Sequence, residues 1–129
     1  MKTLSKIFLT SLLIVFSGNY VQAKVRIAFL ETYDAKGRLV QYEPGGRFSH
    51  SAVQFEALGD QWLNAYPGEG VAIISLDTLQ HHGKITDIVE IPVDLTMADV
   101  QPYLGKPFDY WYSWSDDAIY CSELIGKLL

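Results

Sequence analysis

Residues 24–33 read KVRIAFLETY, with Val25, Ile27 and Phe29 alternating against Arg26 and Ala28. A period of two is the signature of a strand with one buried face. DAKG (34–37) is turn chemistry, and RLVQYE (38–43) predicts a second, shorter strand. After the break at PGG (44–46), FSHSAVQFEAL (48–58) predicts a third. Gly59–Asp60 is a tight-turn signal, with QWLNAY (61–66) as the hairpin partner. PGEG ends that strand, VAIISL (71–76) follows, DTLQHHGK is a turn or short helix, and ITDIVEIPV (85–93) adds a last alternating strand.

The period then changes. In LTMADVQPYLGK, Thr96 reads as a helix N-cap with Asp99 three positions on, close to a capping box, and Pro102 keeps that helix short. PFDYWYSWSDDAI is a dense aromatic connection. In YCSELIGKLL, Leu124, Ile125, Leu128 and Leu129 fall at helical spacing, with Ser122, Glu123 and Lys127 on the other side. Strands first and helices last predict an α+β domain with an antiparallel sheet.

The first 23 residues read as a secretory signal peptide. Lys2 and Lys6 make a basic start, residues 7–16 are largely apolar, and VQA (21–23) suits a cleavage site. The apolar run is short for a membrane span, and no cysteine follows it to carry a lipid. The expected mature domain is 24–129, exported to the periplasm or secreted, monomeric, with no integral membrane segment after signal cleavage. Loss of Lys2 and Lys6 takes the net charge from −5 to −7, which argues against nucleic acid as a partner, because phosphate binding needs a basic face. No cluster has metal-ligand spacing, His81–His82 alone being too little, and neither metal nor cofactor is expected.

The single cysteine, Cys121, opens the last helix. An odd cysteine in an exported chain is a buried small hydrophobe, a link between two chains, or a reactive thiol. A helix N-terminus offers free N–H groups and a dipole that favour an anion, and the same groups can hold an oxyanion. A thiol hydrolase also needs a base. His50 projects from a strand, whereas His81 and His82 sit beside Gly83 in a polar connection and read as solvent-exposed. A third polar group must orient the imidazole, and Asn64 lies on the neighbouring strand. A two-residue turn at Gly59–Asp60 pairs Leu58 with Gln61 and sets Asn64 opposite Phe55, so a bulge or twist is needed to reach His50. Tyr110, Trp111, Tyr112 and Trp114 either wall the approach to the thiol or pack at the core edge. Asp116 and Asp117 read as solvated acids.

The segment LGKPFDYWYSWSDDAIYCSELIGKLL (104–129) resembles the hallmark of the permuted papain-like hydrolases of the NlpC superfamily, the YiiX-like group: a GKPYD approach, an aromatic-acidic stretch, then YCSEL opening a helix. FSHSAVQF resembles that group's SHVGI strand, and WLNAYPGEGV its next strand. The resemblance implies a permuted papain-like (NlpC-type) fold, an antiparallel sheet with the cysteine-bearing helix at the C-terminus. Carried over by position, it makes Cys121 the nucleophile, His50 the base and Asn64 the third catalytic residue, where the group commonly has glutamate. Tyr120, Tyr110 and Trp111 become oxyanion or substrate contacts. The implied activity is an exported cysteine hydrolase of the peptidase or amidase type, cleaving an amide or ester bond in a cell-envelope peptide or lipid. The alternative is a decayed member that serves as a binding domain. A helix opening at Cys121 has nine residues to run, about 13 Å; relatives continue further, so the chain is expected to be shortened at its C-terminus.

Overall fold

The structure, a computed structural model, describes residues 24–42 and 44–129; the segment 1–23, expected to be a signal peptide, lies outside the described residues. Strands β1 (Val25–Glu31), β2 (His50–Gln54), β3 (Trp62–Tyr66), β4 (Gly70–Ile74) and β5 (Lys84–Ile91) form an antiparallel sheet in the order β4-β3-β2-β1-β5. Helices α1 (Leu76–His82), α2 (Met97–Val100) and α3 (Cys121–Leu128) are the α-helices among the described residues.

Both faces of the sheet are covered. On one face Val25 and Ile27 of β1 pack with Val53, Leu63, Val71 and Leu124 of α3. On the other, Ala28 and Leu30 pack with Ala52, Trp62 and Leu79 of α1. Ala28, expected on the polar side of its strand, is therefore fully buried. Full burial of a leucine such as Leu124 contributes about 2–3 kcal/mol, which seats α3 on β2 and β3. The Thr96 cap forms as expected. Its N–H donates to the Asp99 carboxylate at 2.8 Å, and its hydroxyl donates to the same oxygen at 3.0 Å.

Two expected strands are corrected. Residues 38–43 form no strand among those described; only an isolated bridge, Tyr33 with Leu39, remains of that pairing. The strand expected over 48–58 is limited to His50–Gln54. Phe55 leads into a 3-10 turn, Glu56–Leu58, closed by Leu58 N–H donating to Phe55 O at 3.0 Å and Gly59 N–H to Glu56 O at 3.0 Å. The link from β2 to β3 is thus longer than two residues, and the register moves. Val53 lies opposite Leu63, which carries Ala52 to face Asn64 and His50 to face Tyr66.

The cysteine helix is placed by a return path along the free edge of β4. Val71 N–H donates to Lys106 O at 2.8 Å, and Gly105 N–H to Val71 O at 2.9 Å. Phe108 then bridges Ile119 in parallel, directly before α3. This docking depends on Gly70. Its φ is +69°, and a Cβ there would stand 2.4 Å from the Lys106 carbonyl oxygen. Gly68, at φ +81°, has open space at the same point. Gly70→Ala is therefore expected to cost about 3 kcal/mol of stability, against about 1 kcal/mol for Gly68→Ala, as urea unfolding of the two variants would measure.

Candidate active site

His50 is the first residue of β2 and Cys121 the first of α3. Both open onto one cleft of about 580 Å³, lined also by Phe29, Phe48, Tyr112 and Tyr120. Strand alternation puts Ser51 and Val53 on the α3 side of the sheet and His50, Ala52 and Gln54 on the α1 side. The cysteine helix and the imidazole therefore lie on opposite faces of the sheet, and Cys121 and His50 reach the same cleft. No hydrogen bond joins Cys121 to His50 among the described residues.

His50 and Asn64 are brought together. His50 Nε2 lies 3.0 Å from Asn64 Oδ1, while Asn64 Nδ2 donates to Ala72 O at 3.4 Å. The second bond orients the amide, so its oxygen accepts from the ring. Nε2 then carries the proton and Nδ1 is left as the basic nitrogen. The expectation that Asn64 faces Phe55 fails because the 3-10 turn shifts the register. Asn64 is diagonal to His50 on one face, within reach of a long side chain. Asn64 is wholly buried and His50 is 6% exposed; two polar groups so placed are tolerable because each satisfies the other.

Residues 26–129 match the family described as "Permuted papain-like amidase enzyme, YaeF/YiiX, C92 family". The chain belongs to the permuted papain-like amidases. It is also 62% identical over 26 residues to "Uncharacterized protein YiiX" of Escherichia coli (strain K12), a stretch covering 20% of this chain and 13% of that relative. No solved structure matches.

Within this amidase framework the remaining aromatic residues divide. Tyr120 lines the cleft, and burial, followed by the neighbouring Glu123, holds its hydroxyl above the usual phenol range, so it stays protonated. Tyr112 lines the cleft as well. Tyr110 and Trp111 are not among the lining residues: the Tyr110 hydroxyl accepts from Gly68 N–H at 3.0 Å, and Trp111 is 90% exposed. Trp114 lies against Gly126 of α3, with Lys127 Nζ 5.4 Å from its ring. The loop carrying these rings is wound round Asp109, whose carboxylate accepts from Trp111 N–H at 2.9 Å, Ser113 N–H at 2.7 Å and the Ser113 hydroxyl at 2.9 Å. Burial by itself would raise the Asp109 carboxyl, but these donors hold it below the usual carboxylate range. The same winding forces Tyr112 (φ 52°) and Trp114 (φ 51°) into the left-handed region.

Two readings are corrected and one residue was missed. Glu123, placed on the polar side of its helix, is fully buried; it accepts from Tyr120 N–H at 3.2 Å and pairs with Lys127 Nζ at 2.9 Å. His82, read as solvent-exposed, is buried and stacked on Tyr66, whereas His81 is exposed. Ser51, never singled out, is buried and lines the cleft from the α3 side. Asp116 is exposed as expected.

Burial, partly offset by the Asn64 hydrogen bond and reinforced by His82, pushes His50 down to about 4. In the unfolded chain the imidazole titrates near 6.5. Above that pH both states are neutral and the shift costs nothing. Between about 6.5 and about 4 only the unfolded chain takes up the proton, so stability falls as pH falls, by about 1.4 kcal/mol per unit. The expected loss is about 3 kcal/mol between pH 7 and pH 4, measured by urea unfolding, and His50→Gln should flatten that part of the curve.

Proposed function

We propose that this chain is a cysteine amidase in which Cys121 is the nucleophile, His50 the general base and acid, and Asn64 the group that orients His50. The observation that carries the reading is the Asn64–His50 hydrogen bond, which leaves Nδ1 unprotonated in a cleft shared with Cys121. In the first step the Cys121 S–H proton passes to His50 Nδ1 while sulfur bonds to the carbonyl carbon of the substrate. As the tetrahedral adduct collapses, the C–N bond breaks and the proton goes to the departing amine. Water then attacks the thioester carbon, giving up a proton to His50; the C–S bond breaks, the carboxylic acid leaves, and the proton passes from His50 back to sulfur. The Cys121 N–H at the start of α3 and the Tyr120 hydroxyl are the donors for the oxyanion. Because no hydrogen bond joins Cys121 to His50 among the described residues, the first transfer runs through a bridging water or after closure of the cleft around substrate.

The substrate reading is an amide of a cell-envelope peptide or lipid, reached by export through the segment 1–23. Phe29, Phe48 and Tyr112 make the cleft walls largely aromatic, which supports an apolar group next to the scissile carbonyl. Asn64, standing where the group commonly has glutamate, supplies orientation without a second charge.

The test is alkylation of the full chain by an iodoacetamide probe near pH 6.5, with the adduct located by mass spectrometry. Adduct on Cys121, formed about 100-fold more slowly in His50→Ala and about tenfold more slowly in Asn64→Ala, is the expected outcome. Reaction no faster than that of an unstructured cysteine peptide, at a rate indifferent to His50→Ala, would leave the decayed binding domain as the reading.

A further inference from the structure

The imidazole of His50 has a second support that the proposed chemistry does not use. His82, the last residue of α1, lies with its ring parallel to that of Tyr66, at 3.5 Å between centroids and 2° between planes. His50 meets this stack edge-on from both members, at 5.2 Å from Tyr66 with 73° between planes and 5.8 Å from His82 with 74°. The stack is anchored on its far side, where His82 Nε2 lies 3.0 Å from Glu69 Oε1. Glu69 sits in the β3–β4 turn, so β2, β3, that turn and α1 converge on one ring cluster. His82 Nδ1 is buried without a hydrogen-bond partner.

We infer that His82, stacked on Tyr66 and tethered by Glu69, is a positioning residue for His50: the flat pair is a wedge that keeps water from the imidazole and fixes its plane, while Asn64 fixes its rotation. The titratable groups of this cluster are His50 from β2, Tyr66 from β3 and Glu69 from the turn, and Tyr42 and Cys121 line the cleft that His50 opens onto. The wedge acts through ring shape. A phenyl ring in place of His82 should support His50 as imidazole does, and a methyl group should not. The catalytic consequence rests on the amidase reading, but the support of His50 does not.

The experiment is run on the full chain with two readouts, the NMR titration of the His50 ring and the rate of Cys121 alkylation. His82→Ala should admit water and move the His50 midpoint up from about 4 by one unit or more, and slow alkylation about tenfold. His82→Phe should return both to within about twofold of the parent. Glu69 is 38% exposed, so Glu69→Ala leaves no cavity; it frees His82 and should move both readouts in the same direction but less, which covers the case in which His82→Ala does not fold. An unmoved His50 midpoint in folded His82→Ala or, where that variant does not fold, in Glu69→Ala overturns the inference, as does His82→Phe behaving like His82→Ala. If the parent chain does not alkylate faster than free cysteine, the amidase reading falls, and the titration alone still decides whether His82 supports His50.

Discussion

The pairing register between β2 and β3 is the constraint on which the rest of the site depends. A 3-10 turn between these strands, in place of a two-residue hairpin, slides one strand along the other until Asn64 is diagonal to His50. Both side chains are then out of water. An unpaired amide or imidazole there would cost several kcal/mol, so the two groups must find each other. The geometry that a general base requires, one ring nitrogen tied and the other free, follows from solvation before catalysis is considered. A shift of one residue would turn Asn64 to the opposite face and leave His50 without its partner.

The second half of the site is built by a different device. After β5 and α2 the chain runs back along the free edge of β4 and enters α3 through the Phe108–Ile119 bridge. The start of α3 is held by Glu123 reaching back to Tyr120 N–H, and Lys127 ties Glu123 to the exposed Asp116 one segment earlier. Gly126, an unfavourable residue inside a helix, leaves room for the Trp114 ring. The orientation of α3 therefore comes from the aromatic connection before it as much as from its own apolar face.

Strands and the last helix were legible because periods of two and of 3.6 survive in the sequence wherever one face is buried. The pattern failed where another rule took over. Residues 48–58 keep an apolar character beyond Gln54, but Phe55 and Leu58 enter the core from a turn, where alternation has no meaning. His50, Asn64 and Cys121 could be picked out by residue type and by resemblance to a family. The contact of His50 with Asn64 could not, because it depends on a turn whose length the Gly-Asp pair misstated. His82 was hidden by its neighbours: between His81 and Gly83 it looks like a polar link, and only the short helix from Leu76 turns it inward. Glu123 was hidden because a carboxylate on the nominally polar side of a short helix carries no mark of burial.

Helix α3 is only two turns long, and a segment of that size does not hold its shape in water by itself. It is held by the Phe108–Ile119 bridge before it, by the Trp114 indole against Gly126 and by the Lys127–Asp116 ion pair, each contributed in part from elsewhere in the chain. An excised peptide spanning Tyr120 to Leu129 would keep the residues and lose the arrangement. Whatever the sulfur does at this position, it begins only once the molecule around it is assembled, so a nascent or denatured chain carries an ordinary side chain there.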